Sequence, residues 1–319
     1  MKYYIGIDLG GTFVKAGVVD ENCQIVAKST VPSADAVGDP EIVADRMAQC
    51  AREALEKAGL TMDDVESIGV GTPGSVEPDT GTIVYANNLE FRNTPIRKYM
   101  EARTGKKIYV ENDANVAAYG EVLAGAAKGY KDAIVVTLGT GVGGGIVIDG
   151  KIYAGFNHFG GELGHEVIVY NGRQCSCGRK GCLEAYASAT GLINMTKEAM
   201  EAHKDSKLWE VAKTLDEVNG KTAFDAMRMG DAVGKEVVDE YIGYLGCGIS
   251  NFINVFQPEI LLLGGGICKE GENLLAPLRK IIEEETYGIA GYATTKLGTC
   301  ALGNDAGTIG AAFLWKIAE

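Results

Sequence analysis

At 319 residues, 46% hydrophobic and 23% charged, the chain has the make-up of a globular protein of about two domains. A net charge of −13 with no visible cluster of Lys and Arg argues against a sequence-independent grip on nucleic acid, and the longest apolar runs, such as 260–263, fall far short of the roughly 18 residues a membrane span needs. Met1-Lys2-Tyr3-Tyr4 leads straight into a strand pattern, so no signal or transit peptide is expected; Cys23, Cys50, Cys247, Cys268 and Cys300, scattered and mostly in apolar company, read as buried free thiols of a reducing cytoplasm.

In chain order, residues 3–8 read as a buried strand, Gly10-Gly11-Thr12 as a tight turn, and 13–19 and 24–31 as further strands, giving a three-stranded meander. A helix follows, with Asp39 as N-cap, Pro40 at its first position, an apolar face of Ile42, Val43, Met47, Ala51, Ala54 and Leu55, and Gly59 as its stop. Residues 66–71 form a strand ending in Thr72-Pro73-Gly74, and 107–110 another that runs into Glu111-Asn112-Asp113, with a helix from about Ala114. At 133–138 the opening pattern returns: at an offset of 129, Leu9, Gly10, Val18 and Asp20 match Leu138, Gly139, Val147 and Asp149, which reads as an internal duplication. Helices are expected at about 187–203, 208–216, 222–229 and 232–257, the last ended by Pro258; a strand at 259–263 enters Gly264-Gly265-Gly266, and a helix at about 305–318 closes the chain. The expectation is an α/β protein of two halves: 1–117 joined by a returning 304–319, and 118–303, which carries the loop 160–184.

Two glycine turns point to phosphate. In Asp8-Leu-Gly10-Gly11-Thr12 the glycines let backbone N–H groups face outward as an anion nest, Thr12 adds a hydroxyl, Asp8 could hold a hydrated Mg2+ and Lys15 is a cation on the next strand. Thr137-Leu-Gly139-Thr140-Gly141 repeats the device; the competing reading is a pair of ordinary glycine hairpins. Gly139-x-Gly141-x-x-Gly144 and Gly69-x-Gly71-x-x-Gly74 fit a dinucleotide pattern, but neither opens a helix, and Gly220-Lys221-Thr222 lacks the first glycine of a P-loop because residue 215 is Leu.

Asp113, where a strand ends and a helix begins, is the candidate general base for phosphoryl transfer to an alcohol; the alternative is a mere helix cap acting through Asn115. His165, Cys175, Cys177 and Cys182 supply the four soft or borderline ligands of a closed tetrahedral Zn2+ site, against a disulfide with a spare thiol. Glu162, His165 and Glu184 bracket that cluster and are candidate partners of sugar hydroxyls, as is Asn88. His158 and His203 read as surface or structural.

Together these residues resemble the ROK family (repressors, open reading frames, kinases) of bacterial sugar kinases, over essentially the whole chain. The carriers are Asp8-Leu-Gly-Gly-Thr12-x-x-Lys15, Glu111-Asn-Asp113-Ala-Asn115, Gly160-Gly-Glu162-Leu-Gly-His165, Cys175-x-Cys177-Gly-x-x-Gly-Cys182-Leu-Glu184, Leu263-Gly-Gly-Gly266 and Leu302-Gly-Asn-Asp-Ala-Gly307. The resemblance implies an actin-like ATPase (ribonuclease H-like) α/β fold, duplicated into two lobes, with a small zinc knuckle. It implies Asp113 as the base for a sugar 6-hydroxyl, with Gly74, Asn88, Asn112, Glu162, His165 and Glu184 around the sugar. Gly264, Gly265 and Gly266 would lie on the adenosine side of ATP. It further implies catalytic Mg2+, structural Zn2+ and a cytoplasmic homodimer. The pattern is most similar to the family's glucokinases. Kinases for N-acetylmannosamine, N-acetylglucosamine, mannose, fructose or allose are close alternatives, because one or two pocket contacts decide among them. A sugar-responsive repressor and a cytoskeletal or chaperone-type actin-like ATPase are the alternatives of a different class.

Overall fold

In the computed structural model the described residues are 1–288 and 294–318. The strands are β1 (Tyr3–Leu9), β2 (Phe13–Asp20), β3 (Ile25–Pro32), β4 (Val65–Thr72), β5 (Ser75–Glu77), β6 (Thr82–Ala86), β7 (Phe91–Thr94), β8 (Ile108–Asn112), β9 (Ala133–Leu138), β10 (Val142–Ile148), β11 (Lys151–Ile152), β12 (Ile260–Gly265) and β13 (Lys296–Thr299). The helices are α1 (Pro40–Ala58), α2 (Ile96–Thr104), α3 (Asp113–Ala124), α4 (Glu184–Ala187), α5 (Ala189–Ala202), α6 (Leu208–Val211), α7 (Thr222–Arg228), α8 (Ala232–Phe256), α9 (Glu272–Glu285) and α10 (Ala306–Ala312). The chain divides into two compact units, one of residues 1–134, 145–161 and 300–318, the other of Val135–Gly144 and Glu162–Thr299. It passes between them within β9 and again within β10.

The first unit is built on a sheet of order β3-β2-β1-β4-β8. The expected meander supplies its antiparallel half, and β4 and β8 add parallel strands. The register sets one row across four strands: Lys15 opposite Asp8, Asp8 opposite Gly71, and Gly71 opposite Glu111. Strand alternation therefore aligns three of the residues singled out by sequence at one level of the sheet. Helix α1 begins as expected, with the Asp39 carboxylate accepting from the Glu41 and Ile42 N–H groups, and ends at Gly59, whose φ of 68° is left-handed. Its Val43, Met47, Ala51 and Leu55 join Ile5, Ile7, Val14 and Val18 in the core. Ile42 departs from the expected face: it is 41% exposed, while its neighbour Val43 is buried.

Tyr4 and Val19, on the opposite face of the same sheet, pack with Tyr119 of α3 and with Ala312 and Phe313 at the end of α10. These two helices cross where both lack side chains. A β-carbon on Gly120 would lie 2.2 Å from the Ala306 carbonyl oxygen, and one on Gly310 would lie 1.8 Å from that of Val116. The closing helix is shorter than expected: it ends at Ala312, and Leu314–Lys316 form a separate 3-10 turn. A small sheet of order β5-β6-β7, absent from the sequence reading, also belongs to this unit.

In the second unit β9 neighbours β10 and β12, and β13 lies parallel beyond β12. The expected helix at 187–203 is broken before Ala189, where Ser188 becomes the N-cap of α5. The one expected at 208–216 stops at Val211, since Ala212 is extended. Among the five scattered cysteines only Cys50 is buried; Cys23, Cys247, Cys268 and Cys300 are half-buried, and none of the eight cysteines forms a disulfide. No helix among the described residues is long and apolar enough to cross a membrane.

Candidate functional site

The first glycine turn connects β1 to β2. Gly10 does not point its N–H outward, as the sequence reading had it: that group donates to the Phe13 carbonyl at 3.0 Å and closes the turn. Among the described residues the N–H groups of Gly11 and Thr12 have no backbone partner, so they are the candidate anion donors of this turn. Ser33, a residue the motif reading missed, fixes the turn from below through Ser33 Oγ to Gly10 O and Ser33 N to Thr12 O, both 2.9 Å. Lys15 Nζ reaches Asp8 Oδ2 at 3.2 Å. Both side chains are partly exposed, so the pair orients the carboxylate more than it stabilises the fold. A β-carbon on Gly11 would lie 3.1 Å from the Asn88 carbonyl, which brings Asn88 beside the same turn.

At the end of β8 the run Glu111-Asn112-Asp113 divides its labour. Asn112 is the helix cap: its Oδ1 accepts from the N–H groups of Ala114 at 2.9 Å and Asn115 at 3.2 Å. Asp113 stands as the first residue of α3, half-buried, with Oδ1 accepting from Ala114 N at 2.8 Å. The Nδ2 of Asn112 donates to Gly74 O at 3.0 Å, so Gly74, at φ 90°, is held against the same strand end. Glu111 lies behind, buried. Its Oε1 accepts from Asn112 N at 2.8 Å and from Asn115 Nδ2 at 3.0 Å. Burial pushes the Glu111 carboxyl above the usual carboxylate range, against the pull of those two bonds and of His158.

In the second unit, the turn after β9 differs from its counterpart. Gly139 N donates to Gly141 O at 3.0 Å, one residue sooner than in the first turn, and among the described residues the N–H groups of Thr140 and Gly141 have no partner. Two bonds from the start of α5 hold its carbonyls: Ala189 N to Gly139 O at 2.8 Å and Thr190 Oγ1 to Thr140 O at 2.7 Å. Thr137 sits half-buried on β9, two residues before the turn. Gly265, with φ 103°, is pressed so closely on Leu138 that a β-carbon there would meet its carbonyl at 2.1 Å. The Gly264–Gly266 segment thus abuts the end of the strand that carries the turn.

His165, Cys175, Cys177 and Cys182 come together with their ligand atoms all within 4.8 Å of one another. The Cys175 Sγ–His165 Nδ1 and Cys177 Sγ–Cys182 Sγ separations are both 3.7 Å. A tetrahedron with arms of about 2.3 Å has edges of about 3.8 Å, so the donor set fits Zn2+ in type and spacing. It does not fit a disulfide, which requires sulfurs at about 2.05 Å. Burial raises the Cys175 and Cys182 thiols, the latter to about 12, whereas the backbone N–H of Arg179 lowers the exposed Cys177. Since Cys175 Sγ faces Nδ1, the Nε2 of His165 is left for another partner. Glu162 is exposed one turn ahead of His165. Glu184 is more committed than the sequence reading had it. Its Oε1 accepts from Ser176 Oγ at 2.8 Å and from Cys175 Sγ at 3.6 Å, and its Oε2 from Val142 N at 3.0 Å. Nothing in the C-x-C spacing marks Ser176 for this role.

Comparison with known proteins gives this arrangement a lineage. A model of the ROK family matches residues 4–318. A glucokinase of Halalkalibacterium halodurans is 38% identical over 100% of this chain and 96% of its own length. A ROK family glucokinase of Streptomyces griseus, solved in complex with glucose and AMPPNP, is 35% identical, covers 98% of both chains and superposes with a TM-score of 0.78. Regulators are also similar: a xylose repressor of Caldicellulosiruptor bescii is 32% identical over 81% of this chain and 64% of its own.

Proposed function

The chain belongs to the ROK family, with the actin-like ATPase fold of its sugar kinases, and on that premise we propose that it is a glucokinase, transferring the γ-phosphoryl group of ATP to the 6-hydroxyl of glucose. The observation that carries the reading is the start of α3, where Asn112 caps the helix and the Asp113 carboxylate stands at its first position, at the end of β8. Asp113 accepts the proton of the 6-hydroxyl as that oxygen attacks the γ-phosphorus; the bond to the β–γ bridging oxygen breaks, and ADP and glucose 6-phosphate leave.

The remaining residues bind and orient. The second N–H of Asn112 Nδ2, with Gly74, Asn88, Glu162, His165 and Glu184, meets the other sugar hydroxyls. The N–H groups of Gly11 and Thr12, aided by Lys15, and those of Thr140 and Gly141 take phosphate oxygens, and Gly264–Gly266 line the adenosine side. Asp8, an oxygen donor beside the first amide turn, fits a hydrated Mg2+, which when bound neutralises charge on the β- and γ-phosphates. His165, Cys175, Cys177 and Cys182 would hold a Zn2+ ion in a structural role, since four protein ligands would leave no position for a reacting water, and its binding would fix the orientation of His165. Eight cysteines outside disulfides and use of ATP suit a cytoplasmic enzyme, and the resemblance favours a homodimer.

A coupled assay of ADP release with ATP across glucose, mannose, fructose, allose, N-acetylglucosamine and N-acetylmannosamine tests the reading. The highest kcat/KM is expected on glucose; a preference for an N-acetyl sugar would reassign the substrate, and no turnover on any sugar would favour a regulator.

A further inference from the structure

We propose that Ser176 is a positioning residue for nucleotide binding, because it holds the Glu184 carboxylate as a relay between the metal knuckle and the second glycine turn. The inference rests on the reading of the Thr137–Gly141 turn as a phosphate site.

The relay has two ends. At one, Ser176, lodged between the ligands Cys175 and Cys177, donates its hydroxyl to Glu184 Oε1 at 2.8 Å. At the other, Glu184 Oε2 accepts the Val142 N–H at 3.0 Å, the amide that immediately follows the turn. The carboxylate lies directly beneath that turn, since a β-carbon on Gly141 would come within 2.3 Å of Oε2. The other restraints on the turn are the Gly139 N–H bond to the Gly141 carbonyl within it and the bonds from Ala189 and Thr190 to the carbonyls of Gly139 and Thr140. The peptide plane that follows Gly141 is thus held from both sides, its carbonyl by Gly139 N and its N–H by Glu184, and losing the Glu184 bond frees the N–H side and with it the direction in which the neighbouring N–H groups face.

Two side chains face Oε1, Ser176 Oγ at 2.8 Å and Cys175 Sγ at 3.6 Å. The hydroxyl is the closer and stronger donor, and it is the one that keeps Oε1 in place. Losing one hydrogen bond to a charged acceptor corresponds to about tenfold or more; the relay passes only part of that to the turn, so a loss of about three- to tenfold in nucleotide affinity is expected.

The test uses the metal-loaded full chain with Ser176→Ala and Ser176→Thr. Metal content is measured by elemental analysis, AMPPNP affinity by calorimetry and stability by thermal melting. Ser176→Ala is expected to keep one metal per chain and the wild-type melting temperature while binding AMPPNP about three- to tenfold more weakly, and Ser176→Thr, which retains the hydroxyl, to restore affinity. Unchanged affinity in metal-replete Ser176→Ala overturns the relay. So does a loss of affinity that accompanies loss of metal, since the serine would then act through the knuckle's integrity. Failure of the wild-type protein itself to bind AMPPNP is a separate result and removes the phosphate reading on which the relay stands.

Discussion

Asn112 Nδ2 donates to the Gly74 carbonyl at 3.0 Å, while the same side chain caps α3 through Oδ1. One amide thereby joins two jobs: it starts the helix that presents Asp113, and it anchors the loop after β4. The two can be separated. Asn112→Asp keeps the capping oxygen and loses the donor to Gly74, so the melting temperature should hold while glucose KM rises. Asn112→Ala loses both and should also cost about 1 kcal/mol of stability. Denaturant titration beside steady-state kinetics checks the pair, and equal stability loss in both variants would separate Asn112 from the cap.

Asp113→Asn should fold normally, because an amide oxygen can still accept from Ala114 N at the position the carboxylate now uses. Without a base, kcat should fall by about 10²- to 10⁴-fold, with little change in glucose affinity. Near-normal turnover in this variant would remove Asp113 from the chemistry.

Cys177→Ser should release the metal, as three ligands remain where four converge. His165 then loses its fixed ring, and activity should drop by about 10- to 100-fold, chiefly through glucose KM. Metal analysis with sugar titration reads both effects; a metal-free variant of full activity would show that the knuckle does not support the sugar site.

Glu111 makes stability depend on pH. Burial raises its folded-state pKa above the unfolded value of about 4.3. The folded state therefore holds this proton more tightly, and the contribution is fully present below the unfolded pKa and lost as pH rises through the folded one. Glu111→Gln keeps an oxygen for Asn112 N and Asn115 Nδ2 and removes the buried charge. Its stability relative to wild type should thus be higher at pH 7 than at pH 4, as followed by chemical denaturation at both; a constant difference would mean that Glu111 titrates as an exposed carboxylate.

What the chain reveals before folding is what is written locally. The meander, the Asp39–Gly59 helix and the metal cluster rest on neighbouring residues, and all three appear in the structure. Helix α9 does not announce itself, because Pro277 lies inside it and argues against a helix there. The small β5-β6-β7 sheet is likewise hidden in short segments that become strands only by pairing. Within the candidate site, residue types were legible and partnerships were not. Glu184 reads as a sugar ligand, but its bond to Val142 spans 42 positions and depends on tertiary structure. The same holds for Ser33 beneath the first turn, and for the division of roles between Asn112 and Asp113.

The bare crossing of α3 and α10 has a mechanical consequence. Asp113 begins one of these helices, and the other carries Gly307, whose missing β-carbon would sit 3.7 Å from the Asp8 carboxylate carbon. Two rods locked at their crossing behave as a caliper, in which the gap at the fulcrum sets the span between the tips. A single methyl group at Gly310 would act as a shim, costing about 1–3 kcal/mol and altering the spacing of the Asp113 and Asp8 carboxylates while leaving every polar group intact.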